Sequence, residues 1–588
     1  MAVCVKEFVS HCPSSSERKT LTANTDSWYK APKWALGVAM CFTAILIVVM
    51  IIQAIKYISL SSRRLMKGGS LSIFNRTAAI SRALHYHRFR VRSYLLPYTF
   101  PLILVTFMFV WTTIWCFATL PYYRAGTEWG SPPLGVRAGY IGTALVPLVF
   151  ALGARNNPIT FFTGIPSEKL QIYHQYGARI ILFFSIVHTI PFIVQPYQQG
   201  LQLGGSREVA RYFLKYYYDQ TEQFWNGIPP FVALIWIVLS SMGYFRRFSY
   251  EFFVIQHVLS ILFFLAWMFV HCQVSLMDAW YYLFVSVGVL IWSWFGRVLW
   301  SFWANDFNIN QATLVPLSED VTRIRIITPL RWKPAQHVYI RFPTMFVFQS
   351  HPFTITSIPS LDVHNNSNIM QLLIRGKGGI TKRLHEKARN GITSIPCFID
   401  GPYGGMLAPL DNYTNVLLLS GGTGVNAVSG ILLDLMRKME RGETLIQHID
   451  FIWTIRSISS IEWFNETFKA LSMYSCFSNV NIVVHVTGSD PQESITLEKD
   501  ESRHSSESGM YDEKLYNFTK GRPNLQDIVR KSANASQGRD LGVVVCGPPQ
   551  SMFNYEVMNE CAAIELKIAA GDETLPRRLF AHSEAFEW

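Results

Sequence analysis

Residues 172–190 read IYHQYGARIILFFSIVHTI, a run apolar enough for a bilayer yet interrupted by His174 and His188. Residues 256–272, QHVLSILFFLAWMFVHC, repeat the pattern with His257 and His271. Both pairs are spaced by fourteen residues, and of fifteen histidines only these four fall inside the long apolar runs. On an α-helix that spacing returns the second ring to within about 40° of the first, about 21 Å further along the same face. Two such helices running parallel set His174 opposite His257 at one depth and His188 opposite His271 at another.

The surrounding chain makes these helices membrane spans. Of 588 residues, 50% are hydrophobic and 16% charged, and the apolar excess ends near residue 303. A span needs about 20 apolar residues. Seven runs qualify, near 34–58, 95–120, 136–153, 172–195, 229–244, 251–273 and 279–303. The net charge of +12 does not call for nucleic acid, because Lys and Arg gather in short loops between the runs. Arg63, Arg64, Lys67, Arg76, Arg82, Arg88, Arg90 and Arg92 follow the first; Arg155 and Lys169 follow the third; Arg246 and Arg247 follow the fifth. The positive-inside rule puts these loops in the cytosol, the N-terminus outside and everything after about residue 304 inside. Arg207, Arg211 and Lys215 run against that rule, since they lie in the outward loop 196–228. Nine cysteines at irregular positions, with no CxxC pair, indicate neither a zinc site nor a disulfide framework; Cys4 and Cys12 are in reach of each other if the N-terminus is outside. The first apolar run reads as an uncleaved insertion signal.

A single histidine in a span is often a ring bonded between helices, but four at matched depths mark function. Two opposed imidazoles can hold a haem iron from both axial positions, which favours electron transfer over oxygen binding at the metal. Two such haems would form an electron path across the membrane. Zinc fits less well, because neither pair has carboxylate or thiolate company, and Cys272 points about 100° away from His271. Arg179 either packs within the bundle or neutralises a haem propionate.

After residue 304 the pattern is that of a soluble protein. Alternating segments such as VTRIRIITP, HVYIRFP and NIMQLLIRGKGG over 307–410 predict a small antiparallel β-barrel. Within it HPFTITSIP presents His351, Phe353, Thr354 and Thr356, and RGKGGITKRL sets Gly378, Gly379, Ile380 and Thr381 before a helix, where free N–H groups suit a flavin pyrophosphate. Either motif alone is also compatible with an ordinary turn. From about 411 strands alternate with helices, which predicts an α/β domain. NVLLLSGGTGVNAVSGILLDLMRKM is a strand, a glycine turn and a helix, and Gly421, Gly422 and Gly424 allow a dinucleotide phosphate to approach. LGVVVCGPPQSMF ends another strand at Cys546–Pro549, beside which a nicotinamide has room. The polar stretch 489–540 reads as a mobile insertion.

The histidine spacing together with HPFTI, GGITKRL, DGPYGG, GGTGV, CGPP and the C-terminal HSEAFEW resembles the fungal ferric reductases, relatives of the NADPH oxidases. The likeness covers nearly the whole chain after residue 90. It implies a six-helix haem core to which the first span is added, an FAD-binding β-barrel and an NADPH-binding α/β domain. The expected layout is an external segment 1–33, a haem domain 34–303, the FAD domain 307–410 and the NADPH domain 411–588. The likeness also makes His174, His188, His257 and His271 ligands of two b-type haems. FAD would contact His351, Pro352, Phe353 and Thr354, with Gly379 and Thr381 at its phosphates and Trp588 stacked on the flavin. NADPH would meet Gly401, Pro402, Tyr403, Gly404, Gly421, Gly422, Thr423, Gly424, Val425, Cys546, Gly547, Pro548 and Pro549. Arg456 is a candidate for the 2′-phosphate, its alternative being a solvated charge at a strand end. No catalytic residue separate from the cofactors is implied.

The implied reaction moves electrons from cytosolic NADPH to Fe(III) chelates, or Cu(II), outside a plasma membrane, or into a vacuole with the same topology. An iron permease and multicopper oxidase are the implied uptake partners. A superoxide-producing NADPH oxidase shares every domain, but its second histidine pair is usually one residue closer. A seven-helix receptor or transporter with a regulatory tail fits the helix count and leaves the histidines unexplained.

Overall fold

The computed structural model describes all residues except 1–30, 63–71, 93, 125–130, 273–276, 346–348, 360–366, 407, 489–515, 549–551 and 585–588. Cys4, Cys12, Pro549 and Trp588 therefore lie outside the described residues. The chain forms two compact units, one made of residues up to 55 with 101–296, the other of 56–100 with 297–588.

In chain order the strands and the helices longer than six residues up to the second unit's barrel are α1 Pro32–Ser62, α2 Ser72–Tyr86, β1 Arg88–Val91, β2 Tyr94–Tyr98, α3 Thr99–Phe117, α4 Pro133–Gly153, α5 Ser167–Gly204, α6 Arg207–Gln220, α7 Ile228–Ser240, α8 Tyr250–Cys272 and α9 Met277–Ala304. Among the described residues, seven helices are long and apolar enough to cross a membrane: α1, α3, α4, α5, α7 together with the turn before it, α8 and α9. The first unit is organised around α4. Its most apolar window is 78% buried, whereas no other span exceeds 33%. Glycines explain how a helix can be so enclosed: a Cβ on Gly135 would meet Phe192 at 2.8 Å, and one on Gly177 of α5 would meet Val149 of α4 at 2.7 Å. The α4 and α5 backbones are thus closer than side chains on both would allow.

Helix α5 has 38 residues, about 57 Å of helix against a hydrocarbon core of about 30 Å. The sequence expectation ended this span at 195 and left 196–228 as loop. Instead α5 continues to Gly204, and most of the remainder of that stretch is α6, whose Ala210, Phe213 and Tyr217 are buried. The glutamines and glycines of 195–204 hid the continuation, because they break an apolar count without breaking a helix.

The second unit contains β3 Asn310–Pro316, β4 Val321–Thr328, β5 Gln336–Arg341, β6 His351–Thr354, β7 Asn368–Arg375, α10 Gly379–Arg389, β8 Ser394–Gly404, β9 Asn415–Gly421, α11 Val425–Glu440, β10 His448–Ile455, β11 Val480–Val486, β12 Asn517–Lys520, α12 Leu525–Ala535, β13 Asp540–Cys546, α13 Phe553–Ala570 and β14 Arg578–Glu584. The first six strands pair antiparallel in the order β6-β5-β8-β3-β4-β7. A bridge between Ile355 and Leu372 links the two edges and closes the barrel, around Ile324, Ile326, Val338, Ile340, Leu372 and Ile399. The remaining strands form a parallel sheet, β12-β11-β10-β9-β13-β14. Every residue of β9 and β13 is buried, as expected of central strands covered on both faces.

Two features were not anticipated. The polar stretch expected to run to 540 ends sooner, since β12 pairs with β11 and α12 buries Leu525, Val529 and Ala533. That i, i+4, i+8 stripe was obscured by the charged residues around it. Also, α2 and the β1–β2 hairpin, read only as a basic loop, pack on α13 and β14. Arg82 reaches the fully buried Glu565 through two hydrogen bonds of 2.5 and 3.0 Å. Asn559 bonds both the N–H and the carbonyl of Arg88, and the Tyr86 hydroxyl accepts from the Ala581 N–H.

Candidate functional site

The four intramembrane histidines meet in two pairs within the first unit. The rings of His174 and His257 have centroids 6.3 Å apart and a 72° interplanar angle. Those of His188 and His271 are 6.0 Å apart at 86°. Each ring is held at Nδ1 by an acceptor: Val149 carbonyl for His174 at 2.8 Å, Gly135 carbonyl for His188 at 2.7 Å, Ser241 Oγ for His257 at 3.2 Å and Asn226 Oδ1 for His271 at 3.0 Å. An acceptor at Nδ1 puts the proton there and leaves the Nε2 lone pair for a metal.

Helix α4 supplies both acceptors for α5 with the histidines' own fourteen-residue spacing, Gly135 and Val149. Four residues after each comes a glycine. A Cβ on Gly139 would lie 2.6 Å from Nδ1 of His188, and one on Gly153 would lie 2.6 Å from Nδ1 of His174. On the other side, a Cβ on Gly227 would lie 2.8 Å from Cε1 of His271. Sequence reasoning missed Gly135, Gly139, Gly153, Gly227, Asn226 and Ser241. The recurrence of glycine at 139 and 153 was the available signal.

This arrangement fits a haem at each pair. A metal–imidazole bond of about 2 Å on both sides, with about 1.1 Å from nitrogen to ring centre, separates the centroids by about 6.2 Å. No cluster of three or more His, Cys, Asp or Glu side chains able to hold an ion occurs among the described residues, so two imidazoles are all the protein offers at either level. That suits a metal whose other ligands come from a macrocycle. Arg179 lies outside the bundle interior, its guanidinium over the Tyr176 ring at 4.7 Å.

In the second unit, His351, Pro352, Phe353 and Thr354 form β6, one edge of the barrel sheet. Gly379 and Thr381 open α10, which carries no side-chain cap. A Cβ on Gly378 or Gly379 would meet no atom within 4 Å, so no neighbour crowds the start of this uncapped helix, a fit for a pyrophosphate. The Ile355–Leu372 bridge is antiparallel; continuing its register sets Arg375, and hence the start of α10, at the Pro352 end of β6. Gly401, Pro402, Tyr403 and Gly404 end β8 in this same barrel. Thr354 and Tyr403 are both register partners of His337, so DGPYGG lies two strands from HPFT, and Met406, which follows it, packs on the core of the parallel sheet. Trp300 Nε1 donates to the Gly401 carbonyl at 3.0 Å.

The dinucleotide motifs converge at the C-terminal edge of the parallel sheet. Strand β9 lies between β10 and β13, and its chain leaves toward β10, so the gap between β9 and β13 is the switch point where such sheets bind ligands. Gly421 ends β9, and Gly422, Thr423 and Gly424 form one turn of 3-10 helix before Val425 starts α11. Cys546 ends β13, followed by Gly547 and Pro548. A Cβ on Gly424 would collide with the Cys546 carbonyl oxygen, and one on Gly421 would lie 3.0 Å from Pro548. Trp453 Nε1 donates to the Gly422 carbonyl at 3.0 Å, a support that sequence alone did not reveal. Burial, reinforced by Glu584, raises the Cys546 thiol well above its ordinary range, so it remains neutral. Arg456 follows β10 on the same edge and is exposed. The two lobes abut where Asn426 of α11 donates to the Leu373 carbonyl of β7 at 2.9 Å.

The chain matches the ferric reductase like transmembrane component at 138–268, an FAD-binding domain at 306–406 and the ferric reductase NAD binding domain at 413–562. It is 28% identical to a probable cell surface ferric reductase of Aspergillus oryzae over 71% of this chain and 56% of that protein. It is 29% identical to ferric/cupric reductase transmembrane component 7 of Saccharomyces cerevisiae over 70% of this chain and 65% of the relative. The chain thus spans somewhat more than half the length of these relatives. Among solved structures, the ferredoxin reductase in carbazole 1,9a-dioxygenase is 14% identical over 47% of this chain and 69% of its own, with a TM-score of 0.30.

Proposed function

We propose that this chain, which matches a ferric reductase like transmembrane component, an FAD-binding domain and a ferric reductase NAD binding domain, is a transmembrane metalloreductase that oxidises cytosolic NADPH and reduces Fe(III) chelates, or Cu(II), on the opposite side of the membrane. The observation that carries the reading is the pair of facing histidine sets, each ring fixed at Nδ1 and paired across about the width of one metal. One NADPH yields NADP⁺, one proton and two electrons, which reduce two Fe(III) to Fe(II). When bound, FAD converts a hydride into single electrons and haem iron carries them one at a time.

The protein's part is position. His174 with His257, and His188 with His271, would hold the two b-type haems, and α4 fixes the α5 rings by its carbonyls. His351–Thr354 with Gly379 and Thr381 would hold FAD, and Gly401–Gly404, at the end of β8, would meet the nicotinamide nucleotide from the barrel side. Gly421–Val425 and Cys546–Pro548 would take the nicotinamide nucleotide, Arg456 offering a guanidinium to the 2′-phosphate. Loop charges favour the cytosol for the second unit. The plasma membrane is the proposed site, with iron or copper uptake as the purpose and a permease and multicopper oxidase as the downstream partners.

Replacing His188 by Ala should abolish Fe(III) reduction and remove about half of the b-type signal from the reduced-minus-oxidised spectrum, while NADPH still bleaches the flavin. Metal reduction surviving in that variant would overturn the proposal, as would superoxide formed without metal at the rate of ferric reduction.

A further inference from the structure

The basic residues that run against the positive-inside rule acquire a purpose from where the fold puts them. Arg207, Arg211 and Lys215 recur every four residues along α6, so they share one exposed flank about 80° wide. All three are exposed, and Glu208 and Asp219 occupy the adjoining arc. None of the three cations makes an ion pair among the described residues.

The opposite face of α6 is seated on protein. A Cβ on Gly200 of α5 would lie 2.6 Å from the Ala210 Cα, and Tyr217 packs on Phe224 with centroids 5.9 Å apart. From there the rings continue inward, Phe224 to Phe192 at 5.7 Å and Phe192 to His188 at 5.0 Å. The basic flank therefore stands one helix diameter, about 10 Å, beyond a ring that is three contacts from His188, whose pair with His271 lies nearest the outward loop 196–228. An amphipathic helix that binds lipid lays its apolar face in the bilayer; here that face is occupied by α5 and Phe224.

We propose that this flank of α6 is the docking site for the electron acceptor, and that the acceptor class it selects is the anionic Fe(III) chelate, a polycarboxylate complex such as ferric citrate. The inference rests on the ferric reductase reading, which supplies the electron; the flank supplies attraction and nearness. On a helix whose two carboxylates lie on the adjoining arc, three cations without ion pairs give this flank a local positive field that raises the concentration of an anion and depresses that of a cation, and the attraction fades with salt over a Debye length of about 8 Å.

The test uses the full-length protein in phosphatidylcholine nanodiscs, with R207E/R211E/K215E beside wild type. The KM for ferric citrate should rise about tenfold with kcat unchanged, while the KM for a cationic ferric trihydroxamate stays the same or falls. Ga(III)–citrate, which is not reduced, should bind wild type, weaken with salt and bind the variant about tenfold less tightly. Equal KM changes for both acceptors, or unchanged Ga(III)–citrate binding, would overturn the docking site. An effect that appears only in nanodiscs of anionic lipid would overturn it too, because the flank would then be reading lipid headgroups. Wild type that binds Ga(III)–citrate yet reduces no ferric chelate would instead sink the parent reading.

Discussion

At the scale of single residues, the absence of a side chain matters as much as the presence of an imidazole. Gly139 and Gly153 stand where any Cβ would displace a histidine from its carbonyl. Gly139→Ala should push His188 off the Gly135 carbonyl, and Gly153→Ala should do the same to His174. Losing a ligand's orienting bond weakens metal retention about 10- to 100-fold. Each variant should therefore be isolated with about half the wild-type haem, measured as pyridine haemochrome. Gly142→Ala is the control, since its Cβ meets only Phe184 at 3.6 Å, and full haem loss there would refute the steric account. The acceptors on the other side are side chains and can be exchanged without touching a backbone. Asn226→Leu should shift the midpoint potential of one haem and leave the other, and a titration in which neither moves would show that the 3.0 Å bond does not tune the site. The histidines were legible because a polar ring stands out in an apolar run. The glycines were not, because in an apolar helix a glycine looks like any small residue until its neighbour is known.

At the scale of elements, α2 is the segment whose environment differs most from its sequence. Arg82 was one more loop cation; in the fold it bonds a carboxylate with no exposure. Arg82→Met leaves Glu565 buried without its partner and should cost about 3 kcal/mol, seen as earlier unfolding of the NADPH domain or faster proteolysis at α13. Adding Glu565→Leu should recover most of the loss; a double variant as unstable as the single would mean that packing, and not charge, fails. Burial pushes the Glu565 carboxyl up from 4.5 to about 7 against the pull of Arg82. A carboxyl with a raised folded pKa contributes stability that is fully present below its unfolded value and is lost as pH rises through the folded one. Stability should therefore decline between about pH 4.5 and 7, and Glu565→Gln should flatten that slope in thermal melts. A slope unchanged in the Gln variant would assign the pH dependence to another group. The same lesson holds for α12, where charged residues concealed a three-residue apolar stripe.

At the scale of the whole molecule, the chain passes between its two units three times, at 55–56, 100–101 and 296–297, so the nucleotide-binding unit includes a segment from between the first two spans. Within that unit the order β10-β9-β13 opens the crevice that brings GGTG and CGPP together. Gly424→Ala drives a methyl group into the Cys546 carbonyl and should abolish flavin bleaching by NADPH while leaving haem content at wild-type level. Bleaching at the wild-type rate would put the nucleotide elsewhere.

The sequence by itself determined the seven spans, the division between membrane and soluble halves, the antiparallel barrel followed by a parallel sheet, and which four histidines face one another. All of these come from hydropathy, strand alternation and helical repeat, which are local and periodic. Only the tertiary structure decided what holds each imidazole, that α2 is part of the nucleotide-binding unit, and that α6 connects through Tyr217, Phe224 and Phe192 to His188. Those depend on contacts between residues far apart in the chain, and no period in the sequence records them.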